Sequence, residues 1–337
     1  MMKLIIITSE SKALNQNSMK TEFRLTYFFS ILLSGLFFPL PTISQVTFQK
    51  TFGWSHTDYA YSIDKTENEG YFLTGYTESF GEGSRDVYLI RTNSRGETLW
   101  SKTYGGQNTD YAWTIASTTD GGVIIGSHSE SAGAGGHDVQ LIKVDAQGAL
   151  QWSMVYGGTS ADGAYSLKQT YDGGFVVAAH TSSYGEGQHE IYLIRTDTSG
   201  NVLWTKTYGS SGGDFLRALD FTPDLGFIMV AETYSFGAEG ADIYVVRTDM
   251  QGDTLWTRTF GGPGDDFGYS IRLTNDQNYI IAGHTRSFGQ GQLDALLMKI
   301  DDHGEVIWAK TFGGPDEDFA YSVAPTPDGG YILAGGT

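Results

Sequence analysis

One spacing constrains this chain more than any other feature. Trp100 recurs as Trp152, Trp204, Trp256 and Trp308, each 52 residues after the last. An aromatic-glycine pair keeps the same step, from Phe52-Gly53 through Tyr104-Gly105, Tyr156-Gly157, Tyr208-Gly209 and Phe260-Gly261 to Phe312-Gly313, with no insertion or deletion. Such a period marks a repeat architecture, in which each unit buries its apolar faces against its neighbours. A chain of 337 residues would ordinarily suggest two domains, but an array of one unit overrides that.

Each unit holds four short β-prone runs separated by turn chemistry. In the second copy, strand a is expected at Tyr111–Thr118, b at Val123–Ser129, c at Val139–Asp145 and d at Leu150–Tyr156. Asp120-Gly121-Gly122 links a to b and Ala146-Gln147-Gly148 links c to d, both tight-turn signals. The b–c and d–a links are longer and rich in Gly, Ser and acids. Strand c is a continuous apolar run in most copies, as in Val87-Tyr88-Leu89-Ile90, so both of its faces are covered.

Equal four-stranded sheets stacked face to face, each too small to fold alone, describe a β-propeller. The fold class is therefore all-β: four-stranded blades, five complete and a partial sixth. Strand d becomes the outer edge of each blade. Its basic residue (Lys50, Lys102, Lys206, Arg258 or Lys310) discourages edge-to-edge pairing. A second basic column, Arg91, Lys143, Arg195, Arg247 and Lys299, ends strand c. The Trp column docks blade on blade. Val46–Gly53 aligns with strand d, and Tyr321–Thr337 supplies strands a and b of a sixth unit. The two ends are expected to pair into a sixth blade lacking strand c, in a chain truncated from a longer one.

The stretch DVYLIRTNSRGETLWSKTYGG, Asp86 to Gly106, resembles the roughly fifty-residue propeller repeat of large secreted bacterial proteins. The likeness runs from Val46 to Thr337 and implies an extracellular propeller, with no activity attached to the repeat itself. Many members of that family end in a sorting domain for outer-membrane secretion, and this chain has none. A looser likeness, through Asp197–Trp204, joins it to the tryptophan-docking repeats of quinoprotein dehydrogenases. Those rely on a vicinal disulfide and eight blades, whereas this sequence has no cysteine, so their cofactor is not carried over.

The N-terminus agrees with export. From Met19, Lys20 and Arg24 precede a mainly apolar Leu25–Leu40 and then Pro41-Thr42-Ile43-Ser44, the pattern of a secretory signal cleaved before Gln45. The alternative, an uncleaved anchor, is weaker because the apolar run is short of the roughly 20 residues that a span needs. Residues 1–18 are read as a non-native or upstream extension, 19–44 as the signal and 45–337 as the repeats. The product is expected to be secreted or at the outer cell surface, a monomer with no membrane span once the signal is cleaved. A net charge of −18 argues against nucleic acid and anionic membranes as partners. The absence of cysteine excludes disulfides, thiolate metal sites and a Cys nucleophile.

Asp58, Asp110, Asp162, Asp214, Asp266 and Asp318 recur at the start of strand a. A residue present in every unit serves the unit, so these are read as bonding to nearby loop backbone. His128, His180 and His284 share one position of strand b; lying in different blades, they are read as packing residues held apart by whole sheets. Calcium is the one metal that the acidic d–a loops suggest, through Asp265, Asp266, Asp316, Glu317 and Asp318. The fourth unit breaks the pattern twice, with Arg217 where five copies have an aromatic residue and Glu232 where Tyr76 and the three histidines stand. Pairing Thr222 with Phe227 sets the two face to face as an ion pair. The chain is thus expected to be a non-catalytic binding or adhesion scaffold for a cell-surface polysaccharide or protein. The alternative is a carbohydrate-active hydrolase or lyase using the loop acids, which would show one blade junction with converging, non-repeated polar residues.

Overall fold

The computed structural model describes residues 2–7, 47–66 and 70–337. The signal read at 19–44, and 8–18 of the upstream extension, lie outside the described residues. Two strands come first, β1 (Met2–Ile7) and β2 (Thr47–Phe52). Blade 1 consists of β3 (Asp58–Lys65), β4 (Tyr71–Thr77), β5 (Asp86–Thr92) and β6 (Thr98–Tyr104). Blades 2 to 5 repeat it as β7–β10 (Asp110–Tyr156), β11–β14 (Asp162–Tyr208), β15–β18 (Asp214–Phe260) and β19–β22 (Asp266–Phe312). The chain ends in the hairpin of β23 (Phe319–Pro325) and β24 (Tyr331–Gly336). Each blade is an antiparallel a-b-c-d meander, so the structure has five complete blades and a partial sixth. In blade 2 strands b and d fall where expected; a and c each begin one residue earlier, at Asp110 and Asp138.

Burial follows strand position. Strands b and c of blade 3 are buried at every residue, whereas strand d is mostly exposed, with Trp204 and Lys206 half covered and Tyr208 buried. The core is a series of layers between blades. In one, Val176, Ile191 and Leu193 of blade 3 meet Leu216, Phe227 and Met229 of blade 4. Burying each such side chain contributes about 1.5–3 kcal/mol, more than a single small sheet offers alone. Trp100 lies over the c–d turn of the next blade and donates its indole N–H to Ala146 O at 3.3 Å. The turn passes close at Gly148 (φ 77°), where an added Cβ would stand 2.9 Å from the Trp100 ring, so a side chain there would be both strained and displaced. The Trp column docks blade on blade, as expected.

The ends differ from the expected closure. β2 does not hydrogen-bond to the β23–β24 hairpin; it pairs with β1, and the two hairpins are separate sheets. Met2 stands opposite Phe52 as Val87 stands opposite Tyr104, so β1 takes the register of a strand c. Phe48 packs on Tyr71 of blade 1 and over Gly96, as Trp100 packs over Gly148. The expected sixth unit without strand c is therefore corrected: β2 sits in a strand-d place against blade 1, and its open edge is taken by β1. An unpaired strand edge is seldom left open.

Candidate functional site at the axial mouth

The innermost strands, a, begin where the d–a and b–c loops meet. The repeated Asp anchors that end of each blade. Asp162 accepts the backbone N–H of Gly158 (2.9 Å), the Ser183 hydroxyl (2.6 Å) and the Thr181 hydroxyl. Asp110, Asp214 and Asp266 repeat the arrangement with Ser129 and Ser131, Thr233 and Ser235, and Thr285 and Ser287. The column serves the unit, as its repetition implied.

Two residues after the buried Asp each strand a carries a β-bulge. In blade 2 the partners jump from Ala112 to Thr114, and in blade 4 from Leu216 to Ala218, leaving Trp113 and Arg217 unpaired in the ladder. A bulge re-aims a side chain. Here it produces one row along the inner strands: Tyr61, Trp113, Tyr165, Arg217, Tyr269 and Tyr321. Tyr61 and Trp113 stand 4.0 Å apart, Trp113 and Tyr165 5.5 Å, and Tyr269 and Tyr321 5.1 Å between ring centroids. The Arg217 guanidinium lies 5.2 Å from the Tyr269 centroid.

The expected Arg217–Glu232 ion pair forms at 2.8 Å, but not through the register that predicted it. Phe221, not Thr222, pairs with Phe227, and after the bulge Phe215 stands opposite Glu232. Glu232 is nearly covered, with its side chain 8% exposed, against 27% for Arg217. Burial by itself disfavours the Arg217 charge, but Glu232 outweighs it and holds the guanidinium protonated above its ordinary range.

Two of the histidines also depart from expectation. His128 and His180 are not held apart by a sheet, whereas His284 stands, as expected, away from both, against Phe267 and Tyr269 of its own blade. His128 and His180 stand 5.9 Å apart, and His137 and His189 from the b–c loops extend the row to Phe215. Gly163 makes this possible. Five blades have an aromatic residue at its position, and a Cβ there would lie 2.2 Å from the His128 ring. Burial, then neighbouring histidines, pushes His128 well below its usual range and His180 down to about 4. Burial, then Arg286 and Arg217, lowers His284 to about 4. All three are neutral at physiological pH. His128 Nε2 donates to Ala164 O at 3.2 Å, since a carbonyl only accepts, which leaves Nδ1 as a bare acceptor.

Seven buried side-chain polar atoms lack a partner among the described residues, and four of them lie here. They are Trp113 Nε1, His128 Nδ1, Arg217 Nε and His284 Nδ1. Buried polar atoms are ordinarily paired, so such a concentration points to something that binds.

The acidic loops read differently. The repeated Asp266 accepts Gly262 N–H, Thr285 and Ser287; Asp318 accepts Gly314 N–H. Asp265 accepts Ala241 N–H at 3.0 Å, and Glu317 pairs with Arg286 at 3.6 Å. Of the five acids Asp316 and Glu317 are exposed, and among the described residues no group of three or more acid or His side chains is placed to hold a metal. Calcium at these loops would compete with donors already bound. Sequence reasoning also missed why a basic residue ends strand c. It reaches the a–b turn of its own blade, 23 residues earlier: Lys143 to Asp120 at 2.8 Å, Arg195 to Asp172 at 2.6 Å and Lys299 to Asp276 at 2.6 Å. The constant offset was visible in the sequence.

No protein-family model and no curated protein matches the sequence. In structure the chain is similar to a puromycin hydrolase, at 14% identity and a TM-score of 0.54, over 84% of this chain and 44% of that one. It is also similar to a protein of unknown function from Bacteroides caccae, at 12% identity and a TM-score of 0.50, over 78% and 81%. The WD40 domain of Neurospora crassa Pan2 follows at 12% identity and a TM-score of 0.48, over 81% and 85%. Likeness at these identities concerns the fold, a β-propeller, and nothing more. No described helix is long and apolar enough to cross a membrane.

Proposed function

We propose that this chain is an exported β-propeller that works as a non-catalytic binding module at the cell surface, taking a polysaccharide at the axial mouth. One observation carries the reading: four unpaired buried polar atoms lie in the aromatic and histidine columns of the inner strands and on Arg217, which interrupts them. Trp113 Nε1 and Arg217 Nε offer N–H donors and His128 Nδ1 offers a lone pair, so a ligand that satisfies them both accepts and donates. A sugar hydroxyl does both, and the adjoining rings of Tyr61, Trp113 and Tyr165 give its apolar face a platform. The Arg217–Glu232 pair leaves no net charge there, which favours a neutral sugar. Converging, non-repeated polar residues were also the mark set for an enzyme. The hydrolase or lyase alternative, however, needs free carboxylates, and four of the five loop acids are engaged.

Calorimetry of the chain beginning at Gln45 against neutral oligosaccharides tests the proposal. Binding weakened at least tenfold by Trp113→Ala is expected. Binding unaffected by that change, capture of a protein in place of any glycan, or cleavage of the glycan would overturn it. Export is tested separately by the N-terminus of the secreted product, expected at Gln45.

A further inference from the structure

At the opposite end of the strands, where the a–b and c–d turns gather, a cavity of about 310 Å³ opens between blades 3 and 4. Its walls are Tyr171, Leu203, Trp204, Phe221, Leu225 and Met250. Four of these are not repeated. Where Tyr171 stands, the sister blades have Thr119, Pro223, Asn275 and Pro327; where Phe221 stands they have Lys65, Ser117, Gln169, Leu273 and Pro325. Met250 replaces Ser94, Ala146, Thr198 and Asp302. The junction is apolar because this pair of blades, unlike the others, makes it so.

Leu225 is the telling residue. The a–b turn needs a left-handed backbone at this point, supplied elsewhere by Gly121, Gly173 and Gly329. Gln277 in blade 5 and Leu225 are the two non-glycine residues with positive φ among those described, and Leu225 stands at φ 67°. A bulky apolar side chain is disfavoured in that conformation, and this one gains little burial, being 49% exposed. Tyr171 beside it is 70% exposed. Neither the turn nor the core accounts for a leucine here, but a ligand beneath it does.

The polar groups set the ligand's charge. Arg195 lies in the cavity wall, and its two terminal nitrogens are spent on both oxygens of Asp172 and on the carbonyls of Phe175 and Thr196. Thr170 in turn donates to Asp172 at 2.6 Å. No free charge faces the cavity. We infer that this is a second binding site, independent of the axial mouth, for a neutral aromatic small molecule.

The test uses indole as the neutral probe and benzoate and benzylamine as charged ones, with binding followed by saturation-transfer NMR on the whole chain. Indole should bind, with both charged probes at least tenfold weaker. Leu225→Gly, which restores the sister-blade residue, should weaken indole at least tenfold while the melting temperature holds or rises. Tyr171→Thr should also weaken indole and leave stability unchanged. Equal binding of all three probes, or of indole to wild type and Leu225→Gly, would sink the inference. So would a fall in melting temperature on Leu225→Gly, which would make Leu225 a packing residue. Self-association that Leu225→Gly abolishes would place a second copy of the chain on this surface and equally overturn it.

Discussion

Blades 2 and 4 are built on one frame and differ at its two ends. Both anchor strand a with a buried Asp, both carry the bulge, and both join the end of strand c to the a–b turn, Lys143 to Asp120 and Arg247 to Asp224. At the axis blade 2 has Trp113 and His128, whereas blade 4 has Arg217 and Glu232. At the turn blade 2 has Gly121, whereas blade 4 has Leu225. The anchoring Asp, the bulge and the base that ends strand c stay the same in both; the axial and turn positions differ. A repeat leaves its ends free to diverge because interblade packing is carried by the strand middles.

The comparison is broken most directly at the shared frame. Asp110→Ala and Asp214→Ala each strand two hydroxyls and a backbone N–H, in blade 2 Ser129, Ser131 and Gly106. Each should cost about 3 kcal/mol, and the two costs should agree within about 0.5 kcal/mol by urea unfolding. A difference above about 1.5 kcal/mol would mean that the frame is not interchangeable.

The frame was legible in the sequence because it is periodic. The 52-residue step located every strand to within a residue in blade 2, the Asp anchors and the Trp docks. The bulge was not legible: it inserts one residue into strand a alone, and no local turn signal marks it. Arg217 left the expected pairing with Glu232 through two shifts, a turn that pairs Phe221 with Phe227 and the bulge itself, although the ion pair still forms at 2.8 Å. The meeting of His128 with His180 was missed for another reason. Sequence position places a residue on a strand, but gives no distance from the axis, where adjacent blades converge.

The pair that separates blade 4 from its sisters comes next in size. Glu232→Ala leaves Arg217 partly buried and uncompensated, and should cost roughly 2 kcal/mol, between the 3–5 of a buried pair and the under 1 of an exposed one. Arg217→Tyr with Glu232→His installs the sister-blade residues and should recover at least half of that. A double-mutant cycle with coupling below about 0.3 kcal/mol would reduce the pair to coincidence.

Acid should act through the blades that keep histidine. In the folded chain His180 and His284 titrate at about 4, below the unfolded value near 6.5. The native state therefore binds fewer protons between those values. Its stability is complete above about pH 6.5 and declines as pH falls toward 4. The loss over that window should exceed about 1 kcal/mol, because each tenfold drop in proton affinity on folding is worth about 1.4 kcal/mol before the discount for partial solvation. His180→Phe should flatten part of the slope. A flat profile between pH 6.5 and 4.5 would show that these rings are solvated, and that the axial mouth is more open than described.

The smallest effect expected is that of calcium, and it separates repeated acids from unrepeated ones. Were the acidic loops ion sites, millimolar calcium would raise the melting temperature, and chelator would reverse the shift. The hydrogen bonds argue otherwise. Asp266 is 1% exposed and already accepts two hydroxyls and the Gly262 N–H, so an ion would have to replace three donors to reach it. Asp265 and Glu317 are committed to Ala241 and Arg286, and Asp316 alone supplies too few oxygens for an ion that takes six to eight. The expected shift is below about 1 °C, set by screening of the −18 net charge and matched by magnesium at equal ionic strength. A calcium-specific rise of several degrees that Asp316→Asn abolishes would show that the loop carboxylates can exchange their internal donors for an ion. The anchoring column would then hold function as well as frame.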